Sequence, residues 1–323
     1  MKSIKVSFDD KLTFNNLLEA HYRAVKGKRN KLETLLFEQK LETNIANILY
    51  NLQNNIYRLG KYREFTIYEP KERVIKSLPY KDRIVHQWYI YEFIKPFYLK
   101  RFIKNTYACI ETRGTHLCVK DTQQMMRKMH NKYNNYYIIK CDIKKYFYNI
   151  DKDLLFKILK KRRKDNKLIN LTRILIYDDD NKKGIPIGNY TSQYFANIYL
   201  NELDQYIKNT LKLKYYLRYM DDFVIMLETK EECKKVINIV RVFLKDKLKL
   251  ELNHKSRYYP SKFGINFCGY IIHEYYILLR DRSKNKIKYR IKNNSFNYRD
   301  FYGHIKHSNC FNFFNKIYFS RIT

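Results

Sequence analysis

The sequence predicts an α+β fold, with an antiparallel sheet covered by helices on one face. Three observations carry this. Apolar residues recur at helical spacing over 10–24, 32–58, 117–133, 191–210 and 230–248. The apolar runs YYIIKCDI (136–143) and FCGYII (267–272) are strand-like, and 215–227 reads as strand–turn–strand. From residue 136 onward the order is strand, helices, helix, hairpin, helix, strand, which is an α+β pattern.

Taken in order, DKLTFNNLLEAHYRA (10–24) and 32–58 are helices. KYREFTIYEPKERVIKSLP (61–79) is a basic β-hairpin, two alternating runs around Glu69-Pro70-Lys71. Residues 82–103 are helical with a break near Pro96, because proline removes a backbone donor. A helix over 117–133 leads into the buried strand 136–143. Helices follow at 152–163 and 168–177, then a GIPIG loop (184–188) and the helix 191–210. After the 215–227 hairpin come a helix at 230–248, the strand-like 267–272 and a basic, aromatic, helical tail from about 284. With 8 Gly and 5 Pro, linkers are scarce, and no repeat or low-complexity tract appears.

Length suggests two or three packed units, and 45% hydrophobic residues suffice for a sizeable core. Lys and Arg number 65 against 32 Asp and Glu, a net charge of +33, beside 32 Tyr and 20 Phe. Cations that bind phosphates and rings that stack on bases together fit a nucleic-acid partner. An AT-rich coding bias accounts for part of the excess. The six cysteines show no CxxC spacing, and Cys141 and Cys268 lie in apolar runs, so they read as reduced core residues of a cytosolic protein. The start, MKSIKVSFDDKLTF, lacks an apolar signal core, and no run approaches the ~18 apolar residues of a membrane span. The expectation is a cytoplasmic protein with no membrane partner.

The chemistry centres on LRYMDDFVIML (217–227), where Asp221 and Asp222 interrupt strand-forming residues. If 136–143 neighbours this hairpin, Asp142 joins them at one sheet edge. Two carboxylates about 4 Å apart repel by roughly 4 kcal/mol at an effective dielectric near 20. A raised pKa or bound divalent cations would relieve this, and all-oxygen ligands favour Mg²⁺ or Mn²⁺. Two such ions can activate a hydroxyl and stabilise departing pyrophosphate in in-line phosphoryl transfer. A solvated hairpin turn is the competing reading. It must also explain Asp142 after an apolar strand and the Tyr146–Phe147 pair behind it.

At these residues the sequence resembles a reverse transcriptase. Tyr219-Met220-Asp221-Asp222 is similar to the family's Y-x-D-D box, and KCDIKKYFYNID (140–151) resembles its first palm motif. GIPIGNYTSQYFANIYLNELD (184–204) resembles the next, and INFCGYII (265–272) the primer-grip hairpin with Phe267, Cys268, Gly269 and Tyr270. The stretches 62–87, 107–116 and SQYFANIYLNELD, with Ile187-Gly188 in place of Gln-Gly, resemble the reverse transcriptases of diversity-generating retroelements.

The resemblance implies a right-hand polymerase, with fingers and palm over 1–273 and a short basic thumb over 274–323. It implies RNA-directed DNA synthesis from dNTPs on a template RNA, yielding cDNA, with errors at template adenines. It also implies two Mg²⁺ ions, a small basic accessory protein, a structured non-coding RNA, and a bacterial or phage origin. An antiphage defence reverse transcriptase and a non-catalytic RNA-binding scaffold are the alternatives.

By that resemblance Asp142 and Asp221 hold the metals, with Asp222 as a ligand or its neighbour and the Ile143 carbonyl completing a site. Phe147 is a candidate steric gate against a 2′-hydroxyl, or else a core aromatic whose place Tyr146 or Tyr148 could take. Arg73 and Lys71 are candidates for the incoming triphosphate, with Lys81 and Arg83 weaker ones, or else they line a solvated strand face. Ile187-Gly188 is expected at the nascent base pair, or Gly188 is only a turn residue. Ser192 and Gln193 could face the template, with Thr191 or Ser192 alternatively a plain N-cap. Lys255 is a candidate general acid or an ordinary surface lysine. Arg113, Gly114, Thr115 and His116 form a family-like loop. His116 lacks a second ligand at zinc spacing, and Asp178-Asp179-Asp180 reads as a solvated connection.

Overall fold

Local caps decide where the helices begin and break in the computed structural model, which describes residues 6–68, 71–161, 163–293, 295, 302–303, 305–313 and 315. Helices α1 (Phe8–Lys11) and α2 (Phe14–Ala24) divide the single helix expected over 10–24. Thr13 turns extended there, and its side chain accepts from the Asn16 N–H at 3.1 Å, an N-cap in mid-stretch. The expected helix over 32–58 likewise splits into α3 (Leu32–Glu38) and α4 (Leu41–Gln53). Lys40 leaves helical geometry, and Asn44 Nδ2 donates to the Phe37 carbonyl across the break at 2.9 Å.

Strands β1 (Arg63–Ile67) and β2 (Arg73–Ser77) form the basic hairpin in antiparallel register, Arg63 opposite Ser77 and Ile67 opposite Arg73. Glu69 and Pro70 of its expected turn lie outside the described residues. Helix α5 (Tyr80–Tyr89) runs into a π-helical turn, Ile90–Ile94, and then α6 (Lys95–Tyr98). Pro96 sits in the first turn of α6, where its missing N–H costs little. The chain continues through α7 (Thr115–Tyr133), β3 (Tyr137–Cys141), α8 (Tyr146–Asn149), α9 (Lys152–Lys160) and α10 (Asn166–Ile176). Asp151 and Asp165 cap α9 and α10 through the Leu154 and Leu168 N–H groups.

Next come α11 (Tyr190–Gln205), a π-helical turn at Tyr206–Thr210, β4 (Tyr216–Tyr219), β5 (Asp222–Leu227) and α12 (Lys230–Leu248). Thr229 and Glu232 cap α12 reciprocally, each side chain accepting the other's N–H at 3.1 and 3.3 Å. Strands β6 (Arg257–Pro260), β7 (Ile265–Phe267), β8 (Tyr270–Ile272) and β9 (Ile277–Leu279) precede α13 (Asp281–Lys292). The 267–272 segment is thus the turn and second strand of a hairpin. No helix among the described residues is long and apolar enough to cross a membrane.

The chain divides into two compact units, each discontinuous in sequence. One comprises Met1–Ile103, Lys145–Asp204 and Lys245–Leu250; the other comprises Lys104–Lys144, Gln205–Leu244 and Glu251–Thr323. These units cut across the expected division at 273/274. The first is mostly helical, with Trp88 packed between Phe8 and Phe93 at ring-centroid distances of 5.4 and 5.2 Å. The second holds a four-stranded antiparallel sheet in the order β4-β5-β3-β6 and a three-stranded sheet β7-β8-β9. Its core gathers Ile138, Leu217, Val224 and Met226 with Met126 and Met129 of α7 and with Phe267, Tyr270 and Ile272. A second sheet therefore shares this core with the helix, where helices alone were expected. The hairpin 265–272 supplies apolar residues at alternate positions, and these need a buried face of their own.

Candidate active site

The acidic edge follows from register in the second unit. Strand β3 pairs antiparallel with β5, and Cys141 stands opposite Phe223. Asp142 is the next residue, so it falls beside Asp222 on a strand about 4.8 Å away. Tyr219 pairs with Asp222, which leaves Met220 and Asp221 as a two-residue turn. Asp222 is therefore the first residue of β5, not part of the turn proper. Met220, the first of the two turn residues, has φ +57°, a left-handed value that a non-glycine residue adopts at a cost.

Arg218, fully buried on β4, braces that turn. Its Nη1 donates to the Met220 carbonyl at 2.8 Å. Its own N–H donates to the Asn105 carbonyl at 2.9 Å, and its carbonyl accepts from Tyr107 at 3.1 Å. Thr115 and His116, expected in a loop, are instead the first residues of α7, and the Thr115 hydroxyl shares a hydrogen bond with that of Tyr219, beside the turn, at 3.2 Å. His116, next on α7, stacks on His307 at 3.9 Å between ring centroids.

Asp142 is held by the segment before β6. Asn253 donates its N–H to the Asp142 carbonyl at 2.7 Å and its Nδ2 to the carboxylate Oδ2 at 3.1 Å. Ser256 Oγ accepts from the Asp142 N–H and donates back to its carbonyl, both at 3.2 Å. Ile143 bridges Leu252 in the same antiparallel run. Lys255 is exposed, and its N–H is held by Asn253 Oδ1 at 3.1 Å. Sequence reasoning missed Asn253, Ser256 and Arg218.

It also missed Lys140, which forms an ion pair with Asp222. Burial pulls the Lys140 ammonium down to about 8, against the opposing pull of the Asp142 carboxylate. Burial also pushes the neighbouring Cys141 thiol up to about 12, as expected of an inert core cysteine. Among the described residues no three His, Cys, Asp or Glu side chains form a ready-made metal cage. All three lie at one edge, but Asp222 faces a lysine. The donors that remain, carboxylates and backbone carbonyls, suit a hard divalent cation.

The hairpin residues Phe267, Cys268, Gly269 and Tyr270 belong to this unit as well. Phe267 and Tyr270 are buried, whereas Cys268 (φ +49°) and Gly269 (φ +94°) make the turn. Cys268 Sγ lies 3.6 Å from Cys118 Sγ.

The other candidates lie in the first unit. Lys71 and Arg73 are exposed at the start of β2. Arg83 is tied to the Leu78 carbonyl, Ser77 and Glu33 at 2.8–3.0 Å, which makes it a brace of the hairpin's exit. Tyr146 is the core aromatic of its trio, its hydroxyl donating to the Ala196 carbonyl at 2.6 Å, while Phe147 is half-buried and Tyr148 exposed. Ile187 accepts from the Lys76 N–H at 2.9 Å, which seats the 184–189 loop on β2. Gly188 has φ +122°, and a Cβ there would stand 2.7 Å from the Lys76 carbonyl oxygen. Gln193 is half-buried on α11, and Thr191 lies inside that helix bonded to His86 at 3.1 Å, which excludes the cap reading.

Asp178 and Asp179 are not a solvated connection. Lys152 pairs with both at 2.8 and 2.6 Å, and the Lys152 and Asp178 side chains are each 1% exposed. Lys76 joins Asp179 at 3.5 Å, so the cluster reaches β2. The lysine holds the Asp179 carboxyl down to about 2, against the effect of burial.

A family model described as "Reverse transcriptase (RNA-dependent DNA polymerase)" matches residues 68–272. The "Putative COX1/OXI3 intron 2 protein" of Saccharomyces cerevisiae is 26% identical over 44% of this chain and 24% of its own length. The chain therefore spans about a quarter of that relative. Among solved structures, apo telomerase from Candida tropicalis truncated from its C-terminal domain aligns with a TM-score of 0.53 at 15% identity, covering 73% of this chain and 60% of that one. Apo telomerase from the same organism aligns at 0.50 and 13% identity, over 68% and 48%. At such identities the likeness concerns the fold.

Proposed function

Since the chain belongs to the reverse transcriptase (RNA-dependent DNA polymerase) family, we propose that it copies a template RNA into cDNA by nucleotidyl transfer from dNTPs at the Asp142, Asp221 and Asp222 edge. The reading rests on one observation above all: the Cys141–Phe223 register, which sets Asp142 beside the Tyr219–Asp222 hairpin. Two Mg²⁺ ions, or Mn²⁺, held there by Asp142 and Asp221 with the Ile143 carbonyl, would supply the charge that activates a primer hydroxyl and steadies pyrophosphate. The chain's own residues do the rest. Asn253 and Ser256 orient Asp142, and Arg218 holds the turn. Lys71 and Arg73 carry positive charge for the triphosphate. Phe147 offers a ring against a 2′-hydroxyl, and Lys255 is the candidate proton donor to pyrophosphate. Phe267 and Tyr270 anchor the primer-grip hairpin.

The finer reading is an error-prone enzyme of a diversity-generating retroelement, working with a small basic accessory protein and a structured RNA. It is supported by Ile187 before Gly188, since an aliphatic side chain offers no hydrogen bond for base selection. Incorporation of labelled dNTP on a primed RNA tests the activity: it is expected to vanish in Asp221→Ala, and equal incorporation by that variant would favour an RNA-binding scaffold. Ile187→Gln is expected to lower errors opposite adenine, and an unchanged cDNA error spectrum would refute that role. A variable gene with a near-identical template repeat beside this gene would support diversification; its absence would support an antiphage defence enzyme.

A further inference from the structure

We propose that Cys118 and Cys268 are a redox pair, which a peroxide converts to a disulfide that locks the 265–272 hairpin onto α7 and slows primer extension. The effect on synthesis rests on the reading of that hairpin as the primer grip; the bond itself does not.

The two thiols come from distant stretches of chain and meet in the core of one unit. Cys118 lies one turn into α7, fully buried, and its N–H donates to the Gly114 carbonyl at 3.0 Å. Cys268 makes the hairpin turn with Gly269 and is only half-buried. The two Sγ atoms are 3.6 Å apart, sulfur touching sulfur. A disulfide spans about 2.05 Å, so closing the bond asks the sulfurs to approach by roughly 1.5 Å. The turn is the side that can yield. A Cβ added at Gly269 would meet nothing within 4 Å, so the backbone there borders open space. Helix α7 cannot yield, because Cys118, Val119, Met126 and Met129 fix it in the core.

Exposure assigns the roles. Cys268 is reachable from solvent and is the sulfur that meets the oxidant. Arg280 stands beside it: burial pulls that guanidinium down, and the Cys268 thiol opposes the pull. Burial pushes the Cys118 thiol up, and Cys268 pushes it further, as suits a resolving partner shielded from solvent. The Cys268 thiolate attacks a peroxide oxygen and the O–O bond breaks. The departing hydroxide takes up the proton that the Cys268 thiol released, and a sulfenic acid remains. The Cys118 sulfur then attacks the Cys268 sulfur, and the displaced hydroxide leaves as water with the Cys118 proton. Two thiols lose two electrons and two protons, and one hydrogen peroxide becomes two waters. A dithiol reductant reverses the step.

The same helix carries the effect to the catalytic turn. Thr115 is one turn before Cys118, on one face of α7, and its hydroxyl is hydrogen-bonded to that of Tyr219 at 3.2 Å. Burial raises the Tyr219 hydroxyl, and the Cys268, Cys109 and Cys118 thiols add to the rise. The sulfurs therefore crowd the tyrosine that precedes Met220 and Asp221. A misplacement of about 1 Å at such a site costs up to about 100-fold in rate.

The test is oxidation of the reduced full chain with a small excess of hydrogen peroxide, followed by peptide mapping without reductant and by labelled dNTP incorporation on primed RNA. A Cys118–Cys268 disulfide is expected, with incorporation falling by about tenfold or more and returning after dithiothreitol, which does not repair methionine sulfoxide. Cys118→Ala is expected to keep its basal activity, since a buried cysteine packs as a small apolar group, and to ignore the same treatment. Mapping on the wild-type chain decides the pair even where that variant fails to fold. A bond mapped to Cys109 or Cys310, or both thiols still free after treatment, overturns the pair. Complete cross-linking with unchanged incorporation overturns the lock on synthesis while the polymerase reading stands. A reduced chain that incorporates no dNTP counts against the polymerase reading, and the mapped bond still decides the pair.

Discussion

Gly188→Ala probes how the 184–189 loop is seated on the β-hairpin. The new Cβ would stand 2.7 Å from the Lys76 carbonyl oxygen and 3.0 Å from Ile75 Cγ2, on a backbone at φ +122°. An alanine at such a φ costs about 1–3 kcal/mol by itself. Backbone cannot yield as a flexible side chain does, so the loop must also lift from β2 and stretch the 2.9 Å bond from the Lys76 N–H to the Ile187 carbonyl, for about 1 kcal/mol more. The sum is about 2–4 kcal/mol. Trp88, the single tryptophan, is fully buried in the same unit, so its fluorescence in urea reports the loss. Gly27→Ala is the control, with φ +71° and nothing within 4 Å of its Cβ; it carries the backbone strain without the collision. The dNTP KM of Gly188→Ala should rise together with its instability. A Gly188→Ala midpoint within about 0.5 kcal/mol of wild type, or a loss no larger than that of Gly27→Ala, refutes the seating argument.

Three other outcomes are expected. Lys152→Met strands a buried carboxylate at Asp178 and should cost about 3–5 kcal/mol in urea denaturation, with Asp178→Asn in the same chain restoring much of it; additive losses would refute the pairing. Burial holds His86 down at about 3, so the folded state keeps it neutral while the unfolded chain protonates near 6.5. Stability from this group is full above the unfolded value and falls by about 1.4 kcal/mol per pH unit below it; urea midpoints at pH 7 and 5 should therefore converge in His86→Gln by roughly 2 kcal/mol relative to wild type. Asn253→Ala removes the hydrogen bond that the Asn253 Nδ2 donates to the Asp142 carboxylate and should lower dNTP incorporation about 10- to 100-fold at a nearly unchanged urea midpoint; full activity would refute its orienting role.

Local signals were legible in the sequence, and distant pairings were not. Helix α12 matches its expected limits because Thr229 and Glu232, three residues apart, cap it through their own side chains. The β3 and β4–β5 strands were legible because their apolar runs are continuous. The helix over 32–58 was read as unbroken because its apolar spacing persists across Gln39 and Lys40, and only backbone angles reveal the step. Asp178 looked solvated because acidic neighbours surround it, while the lysine that buries it lies 26 residues earlier. The acidic edge was anticipated from strand character and residue type. Its supports were not: Asn253 and Ser256 are 111 and 114 residues from Asp142, and the Lys140–Asp222 pair depends on a register that no single strand encodes.

The interleaving of the two units has a consequence for synthesis on the ribosome. The polypeptide passes from one unit to the other at 103/104, 144/145, 204/205, 244/245 and 250/251, so neither can be completed before residue 250 has emerged. Strand β3 must wait longest. One of its flanks is closed by residues 223–227 and the other by 257–260. Until translation reaches that point, an apolar strand bearing Asp142 has unpaired amides on its edges, the state in which nascent chains stick to one another. A fragment ending before residue 257 would keep one flank open for good, and should be recovered in inclusion bodies unless the missing piece is supplied in trans.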